Sequence, residues 1–192
     1  MTFCTPRRVT VFCSSSDDIK PLYRDAAAEL GAAIAREKWQ LVYGGNNLGA
    51  MGALADGCRA AGGYVIGVTP QLFVDKGFTD NACHELIVTP DMRSRKARME
   101  ELGDAFIAMP GGFGTLEELC EILVGRILKS HSKPVILYNV AGFYTPVVEF
   151  FEMLISEHFA KPKVRMDYLV AENIEAIVEE LKGQWGMMAG QA

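Results

Sequence analysis

The chain has 192 residues, 49% of them hydrophobic, and 19 Lys and Arg stand against 24 Asp and Glu for a formal net charge of -5. That length suits one domain with a full core and is short for two. The acidic balance argues against a general nucleic-acid binder, which presents a net basic face, so any anion site must be local.

No run approaches the roughly 20 apolar residues of a membrane span, and Arg7 and Arg8 precede only a short apolar run instead of a secretory pattern. The five cysteines, Cys4, Cys13, Cys58, Cys83 and Cys120, are odd in number and form no C-x-x-C pair. Most sit in apolar contexts where free thiols act as small hydrophobes, and a soluble protein of the reducing cytoplasm is expected. His84, His131 and His158 lack ligand-like spacing with the cysteines, so the pattern gives little support to a zinc site.

In chain order, the apolar runs Val9 to Cys13, Leu41 to Tyr43, Tyr64 to Val68, Leu86 to Val88, Ala105 to Met109, Val135 to Tyr138 and Tyr168 to Val170 read as strands. Their apolarity is continuous, not alternating, which predicts strands covered on both faces. Between the first two, Ile19, Leu22, Tyr23, Ala26, Ala27, Leu30, Ala33 and Ile34 recur at helical spacing, with Pro21 in the first turn and Asp17 or Asp18 available as a cap. Repetition of this unit predicts an α/β fold: a single Rossmann-like three-layer domain over residues 1–182, its parallel sheet of about seven strands flanked by helices. Residues 183–192, with three glycines and no apolar period, are expected to form a frayed tail. In such sheets ligands sit beyond the carboxyl ends of the strands, which directs attention to the loops there.

Four loops carry candidate residues. Ser14, Ser15 and Ser16 follow the first strand and offer hydroxyls to a phosphate or ribose, or caps to the next helix. After the second strand comes Tyr43-Gly44-Gly45-Asn46, where Gly44 and Gly45 lie where a phosphate or sugar would enter; Gly49 and Gly52 read as packing glycines. Thr89-Pro90-Asp91-Met92 precedes a helix in which Asp91 is a plausible N-cap and Arg93, Arg95, Lys96 and Arg98 crowd the first turns. Cations there oppose the helix dipole, so a bound anion or a carboxylate from elsewhere must compensate.

The most informative stretch is Ala105 to Glu118, in which a buried strand ends in Pro110-Gly111-Gly112-Phe113-Gly114-Thr115 and passes into a helix. Glycines let backbone N–H groups approach an anion closely, and the helix start adds its unpaired amides and positive dipole end. A phosphorylated ligand is the expectation; a plain tight turn is the alternative. In the helix that follows, Leu116, Leu119, Cys120, Leu123, Val124 and Ile127 mark an apolar stripe. Glu118 lies about 200° around from Leu116 and is expected to face away from the core, as a solvated glutamate or a carboxylate at a ligand's edge.

These residues together resemble the Lonely Guy (LOG) family of cytokinin-activating phosphoribohydrolases, whose members are often mislabelled lysine decarboxylases. The family pattern P-G-G-x-G-T-x-x-E stands intact as Pro110 to Glu118, and a second signature appears as Met92-Arg93-Ser94-Arg95-Lys96. With the Tyr43-Gly44-Gly45 turn and Val11 to Ser16, the likeness runs from about residue 8 to 182. Arg93 stands where many members have histidine, Asn46 where a third glycine is common, and Val124 where plant members carry threonine.

The resemblance implies hydrolysis of the N-glycosidic bond of a purine nucleoside 5′-monophosphate, AMP or an N6-modified relative, to free base and ribose 5-phosphate. It implies Arg95 and Glu118 as the catalytic pair and Lys96 as a substrate-binding residue. Gly112, Gly114 and Thr115 hold the phosphate on that reading, and Ser15, Gly44, Gly45, Met92, Gly111 and Phe113 complete the substrate-binding set. It implies a homodimer with active sites at or near the interface, and requires neither metal nor redox cofactor. Three rival readings compete with this one. A nicotinamide-dependent oxidoreductase needs its glycine fingerprint after the first strand, which here is serine-rich. A pyridoxal-phosphate decarboxylase needs a Schiff-base lysine, and Ser130-His131-Ser132-Lys133 has the wrong order. A non-catalytic nucleotide sensor or carrier keeps the phosphate contacts, so only Arg95 and Glu118 together separate it from the enzyme.

Overall fold

The computed structural model describes residues 6–189. Seven strands, β1 (Arg8–Phe12), β2 (Gln40–Tyr43), β3 (Tyr64–Pro70), β4 (Glu85–Thr89), β5 (Ala105–Ala108), β6 (Val135–Tyr138) and β7 (Leu169–Ala171), form one sheet in the order β4-β3-β2-β1-β5-β6-β7. Every pairing is parallel. The seven helices are α1 (Pro21–Arg36), α2 (Gly49–Ala60), α3 (Gln71–Asp75), α4 (Met92–Leu102), α5 (Phe113–Ile127), α6 (Thr145–Ser156) and α7 (Ile174–Ala189).

Strand parity divides the core into two layers. Val9, Val11, Leu41, Tyr43, Ile107, Met109 and Ile136 pack with α1, α2 and α7 through Leu30, Leu54, Cys58 and Leu181. Their sequence neighbours Phe12, Val42, Phe106, Ala108 and Leu137 pack on the opposite face with Met99 of α4, Leu119 and Ile122 of α5, and Tyr144. Alternate residues therefore enter different cores, which is why the strands read as unbroken apolar runs. The polar Thr10 tolerates this burial because its hydroxyl donates to the Met99 carbonyl at 3.1 Å.

Two local expectations are corrected. Lys20, not Asp17 or Asp18, occupies the N-cap of α1 and makes no side-chain cap; Asp17 instead accepts a hydrogen bond from the Gly49 amide at 2.9 Å, tying the β1 loop to the start of α2. The tail expected to fray from residue 183 continues α7 through Ala189. Trp185 holds it there, buried edge-on against Trp39 with ring centroids 4.9 Å apart. Residues 190–192 lie outside the described residues.

Strand order reverses between β1 and β5: the chain builds outward from β1 to β4 on one side and from β5 to β7 on the other. The loops beyond β1 and β5 thus leave in opposite directions and open a crevice at the carboxyl end of the sheet.

Candidate active site

A cleft of about 320 Å³ fills that crevice, lined by Cys13 to Ser16 after β1, Met51 of α2, Phe73 of α3, Met92 and Arg95 of α4, and Gly112, Gly114, Thr115 and Glu118 at the start of α5. Ser15, Met92, Arg95, Gly112, Gly114, Thr115 and Glu118 are thereby brought together from three separate loops, as the sequence suggested. A neighbouring cavity of about 250 Å³ is walled by Ser14, Tyr23, Gly111, Gly112 and Phe143.

The floor is an ion pair. Arg95 Nη1 donates to Glu118 Oε1 at 2.6 Å, with side-chain exposures of 4% and 7%, so both charges are largely shielded from bulk solvent. Asp91 caps α4 by accepting from the Ser94 amide at 2.7 Å, which sets the first turn and delivers Arg95 into the crevice. There Arg95 Nε donates to the Val68 carbonyl of β3 at 3.1 Å. Gly44 forms the wall beside the guanidinium: a Cβ built on it would overlap Arg95 Nη2. Gly45, at φ +69, turns the chain away from the cleft and packs on Thr69 and Val68.

Burial of Glu118 corrects the outward orientation read from the helical period. The residues of α5 buried in the fold are Thr115, Glu118, Leu119, Ile122 and Leu123, a stripe rotated by about one residue from the one inferred. Cys120, Val124 and Ile127 instead line an apolar groove with Phe151, Leu154 and Val164, and Val124 is 50% exposed. Two apolar faces on one helix produced a single wide pattern in the sequence.

Electrostatics follow from this geometry. Burial raises the Glu118 carboxyl above its ordinary range, with the Arg95 cation pulling in the opposite direction and the nearby Glu117 adding to the rise. Beneath the pair, the Cys13 thiol is pushed far up by burial and then by the Glu118 charge, and stays neutral. At the rim, α5 starts at Phe113 with Gly112 as an N-cap that supplies no side-chain cap, so its first amides remain available to an anion. Gly111 packs against Thr115, where a Cβ would overlap its hydroxyl and push it from the cradle.

Five expected site residues are not among those lining the cleft: Gly44 and Gly45, Gly111, which walls the neighbouring cavity, Lys96 and Phe113. Lys96 is ion-paired with Glu117 and, at 3.0 Å, with Glu121. Phe113 is 93% exposed and points off the cradle. Conversely, Cys13, Met51 and Phe73 line the cleft without having been singled out as site residues. Their signal in the sequence is only position, just after β1, at the start of α2 and just after β3.

Fold and cleft define an α/β protein with a buried carboxylate–guanidinium pair beside a helix start that lacks a side-chain cap, at the switch point of its sheet. Residues 51–181 match the protein family described as "Possible lysine decarboxylase". The chain is 40% identical to cytokinin riboside 5′-monophosphate phosphoribohydrolase LOG5 of Arabidopsis thaliana over 92% of its own length and 77% of that protein's. It is 42% identical to the cytokinin riboside 5′-monophosphate phosphoribohydrolase of Rhodococcoides fascians, covering 93% of this chain and 90% of the relative. Among solved structures, the Moco carrier protein of Chlamydomonas reinhardtii superposes with a TM-score of 0.72 at 26% identity, over 94% of this chain and 99% of that one. The chain belongs to the Lonely Guy family of phosphoribohydrolases.

Proposed function

We propose that this protein hydrolyses the N-glycosidic bond of purine nucleoside 5′-monophosphates, AMP or N6-modified adenosine monophosphates, to free base and ribose 5-phosphate. The observation that carries this reading is the buried Arg95–Glu118 pair, one helical turn from unpaired amides suited to a phosphate. Relatives at about 40% identity named for this reaction support it.

In this reading the amides at the start of α5, with Gly112, Gly114, Thr115 and Ser15, take the 5′-phosphate, and Met92 lies along the remainder of the nucleotide. Positive charge develops on the ribose as the C1′–N9 bond breaks, and the Glu118 carboxylate stabilises it in a site with little solvent to compete. The bond's electron pair leaves with the base. Water oxygen bonds to C1′, and the proton that Glu118 takes from it ends on the departing base. Arg95 orients Glu118 and the substrate through its forked hydrogen bonds. Lys96 braces α4 against α5 through Glu117 and Glu121 without touching the phosphate.

The same reading includes a homodimer. Val124 and Leu128 at the end of α5, Phe150 and Met153 of α6, and Phe159 beyond it are exposed by 49% to 82%, a large apolar surface for one subunit to leave in water. Because α5 carries Glu118 on its other side, pairing through this surface sets the active site close to the interface. Free thiols at Cys13, Cys58, Cys83 and Cys120 suit a reducing compartment, the cytoplasm.

Incubation with AMP and with N6-isopentenyl-AMP, followed by chromatography of products, tests the reaction. Adenine or its isopentenyl derivative should appear beside ribose 5-phosphate, and Glu118→Gln should release neither. Tight binding of both nucleotides with no base released would instead make this a carrier, the role named for the Chlamydomonas structure.

A further inference from the structure

Behind the Gly44–Gly45 turn, on the side away from the cleft, lies a second buried charge cluster. Asp80, in the loop between α3 and β4, is 3% exposed. Its Oδ2 accepts the Tyr43 hydroxyl and Arg59 Nη1, each at 2.7 Å, and its Oδ1 accepts the Ala82 amide at 2.9 Å. The Asp80 amide in turn donates to the Gly45 carbonyl at 2.8 Å. Cys83 Sγ lies 3.3 Å from the Tyr43 hydroxyl, and Asp56 holds the other arm of Arg59.

We infer that Asp80, bonded to Tyr43 and Arg59, is a positioning residue for the Arg95–Glu118 pair, acting through the Gly44–Gly45 turn. The inference rests on the reading of that pair as the reacting groups. Asp80 fixes the turn at two points that bracket Gly44, the side chain of Tyr43 before it and the carbonyl of Gly45 after it. Gly44 is the wall against Arg95 Nη2, and Gly45 packs on Val68, whose carbonyl receives Arg95 Nε. Both surfaces that aim the guanidinium are therefore held from behind by one residue, Asp80, through its carboxylate on Tyr43 and its backbone amide on Gly45. A loop needing only to stay folded could use a surface polar residue; a carboxylate with three donors and almost no exposure specifies one geometry instead. Burial works against the Asp80 charge, but the hydrogen bonds from Tyr43, Arg59 and Ala82 outweigh it and hold the carboxyl below its ordinary range, so the clamp is charged at neutral pH.

Tyr43→Phe removes one arm of the clamp and keeps the buried ring, and Asp80→Asn removes its charge. For the nucleoside monophosphate that the wild type turns over, Tyr43→Phe should lower kcat about tenfold with KM changed by less than about twofold, the signature of a lost transition-state contact. Independently of turnover, the Arg95 Nε–H resonance, sheltered by its bond to Val68, should exchange with solvent about tenfold faster in both variants, while amides of β5 and β6 keep their protection. A purely structural Asp80 would lower the melting temperature and leave kcat and the Arg95 exchange rate unchanged, and that result overturns the inference. Should Asp80→Asn fail to fold, Tyr43→Phe decides alone. Absence of base release by the wild type would refute the proposed reaction, and the Arg95 exchange rate would still decide the positioning role.

Discussion

At Glu118 two effects of opposite sign act on one carboxyl. Burial disfavours its charge and Arg95 at 2.6 Å favours it, with burial the larger, so its proton is held more tightly than the ordinary value of 4.5 implies. Stabilising a cationic ribose requires the ionised form, so activity must rise with pH as this proton leaves. The acid limb of kcat/KM against pH, which reports the free protein, should therefore have its midpoint above 4.5, and a midpoint at or below it would show that burial does not outweigh Arg95 at this carboxyl. Arg95 must match Glu118 on one arm and the Val68 carbonyl on another, a forked demand that an ammonium cannot meet. Arg95→Lys should accordingly lower kcat by about 10²-fold or more while far-UV circular dichroism stays unchanged. The identity of both residues was legible in the sequence through the paired motifs. The direction of Glu118 was not, because a helical period reports where apolar side chains lie and is silent on a buried carboxylate whose partner is 23 positions away.

At the scale of elements, the turn after β2 links the sheet to the chemistry. Gly44 admits Arg95 only because it has no side chain, and Met51 crowds the same space that a Cβ would fill. Gly44→Ala should displace the guanidinium and lower kcat by about 10²-fold, an effect of misplacement by an ångström or so. Steady-state kinetics with a thermal melt checks this; an active variant of normal melting temperature would mean that Arg95 tolerates movement. The strands were legible to within two residues at either end because the inner ones are apolar on both faces; the expectation of cover on both faces fails at the edge strand β4, where Val88 is 45% exposed. Helix α5 was legible as a helix but not in its rotation, since Leu119 and Ile122 serve the core while Cys120 and Val124 serve the outer groove. Helix α7 was missed beyond residue 182 because Gly183 and Gly186 break the pattern, and its anchor, Trp185 on Trp39, joins residues far apart in sequence. The Asp80 clamp had no local signal either: its partners come from β2 and α2, and only the folded sheet brings them to one carboxylate.

At the scale of the molecule, sheet order decides where the crevice opens, and the outer face of the α5–α6 layer decides what the subunit does with its remaining apolar surface. Leu128 is 74% exposed and Phe159 82%, next to the all-apolar groove between α5 and α6. Covering such side chains contributes about 1.5–3 kcal/mol each, enough for a few of them to sustain a micromolar or tighter dimer after the cost of association. A charge placed at the centre of that surface must lose its water on pairing, so Val124→Asp with Leu128→Glu should weaken the dimer by at least about 10²-fold. Size-exclusion chromatography with light scattering should give twice the 21.0 kDa chain mass for the wild type and a single chain mass for the double variant. A wild type that stays monomeric at tens of micromolar would refute the dimer, and a double variant that still pairs would place the interface elsewhere. Since Glu118 lies four residues before Ile122 on the buried side of the same helix, a true interface mutant should also lose activity in proportion to its loss of dimer, and regain it at protein concentrations that restore pairing.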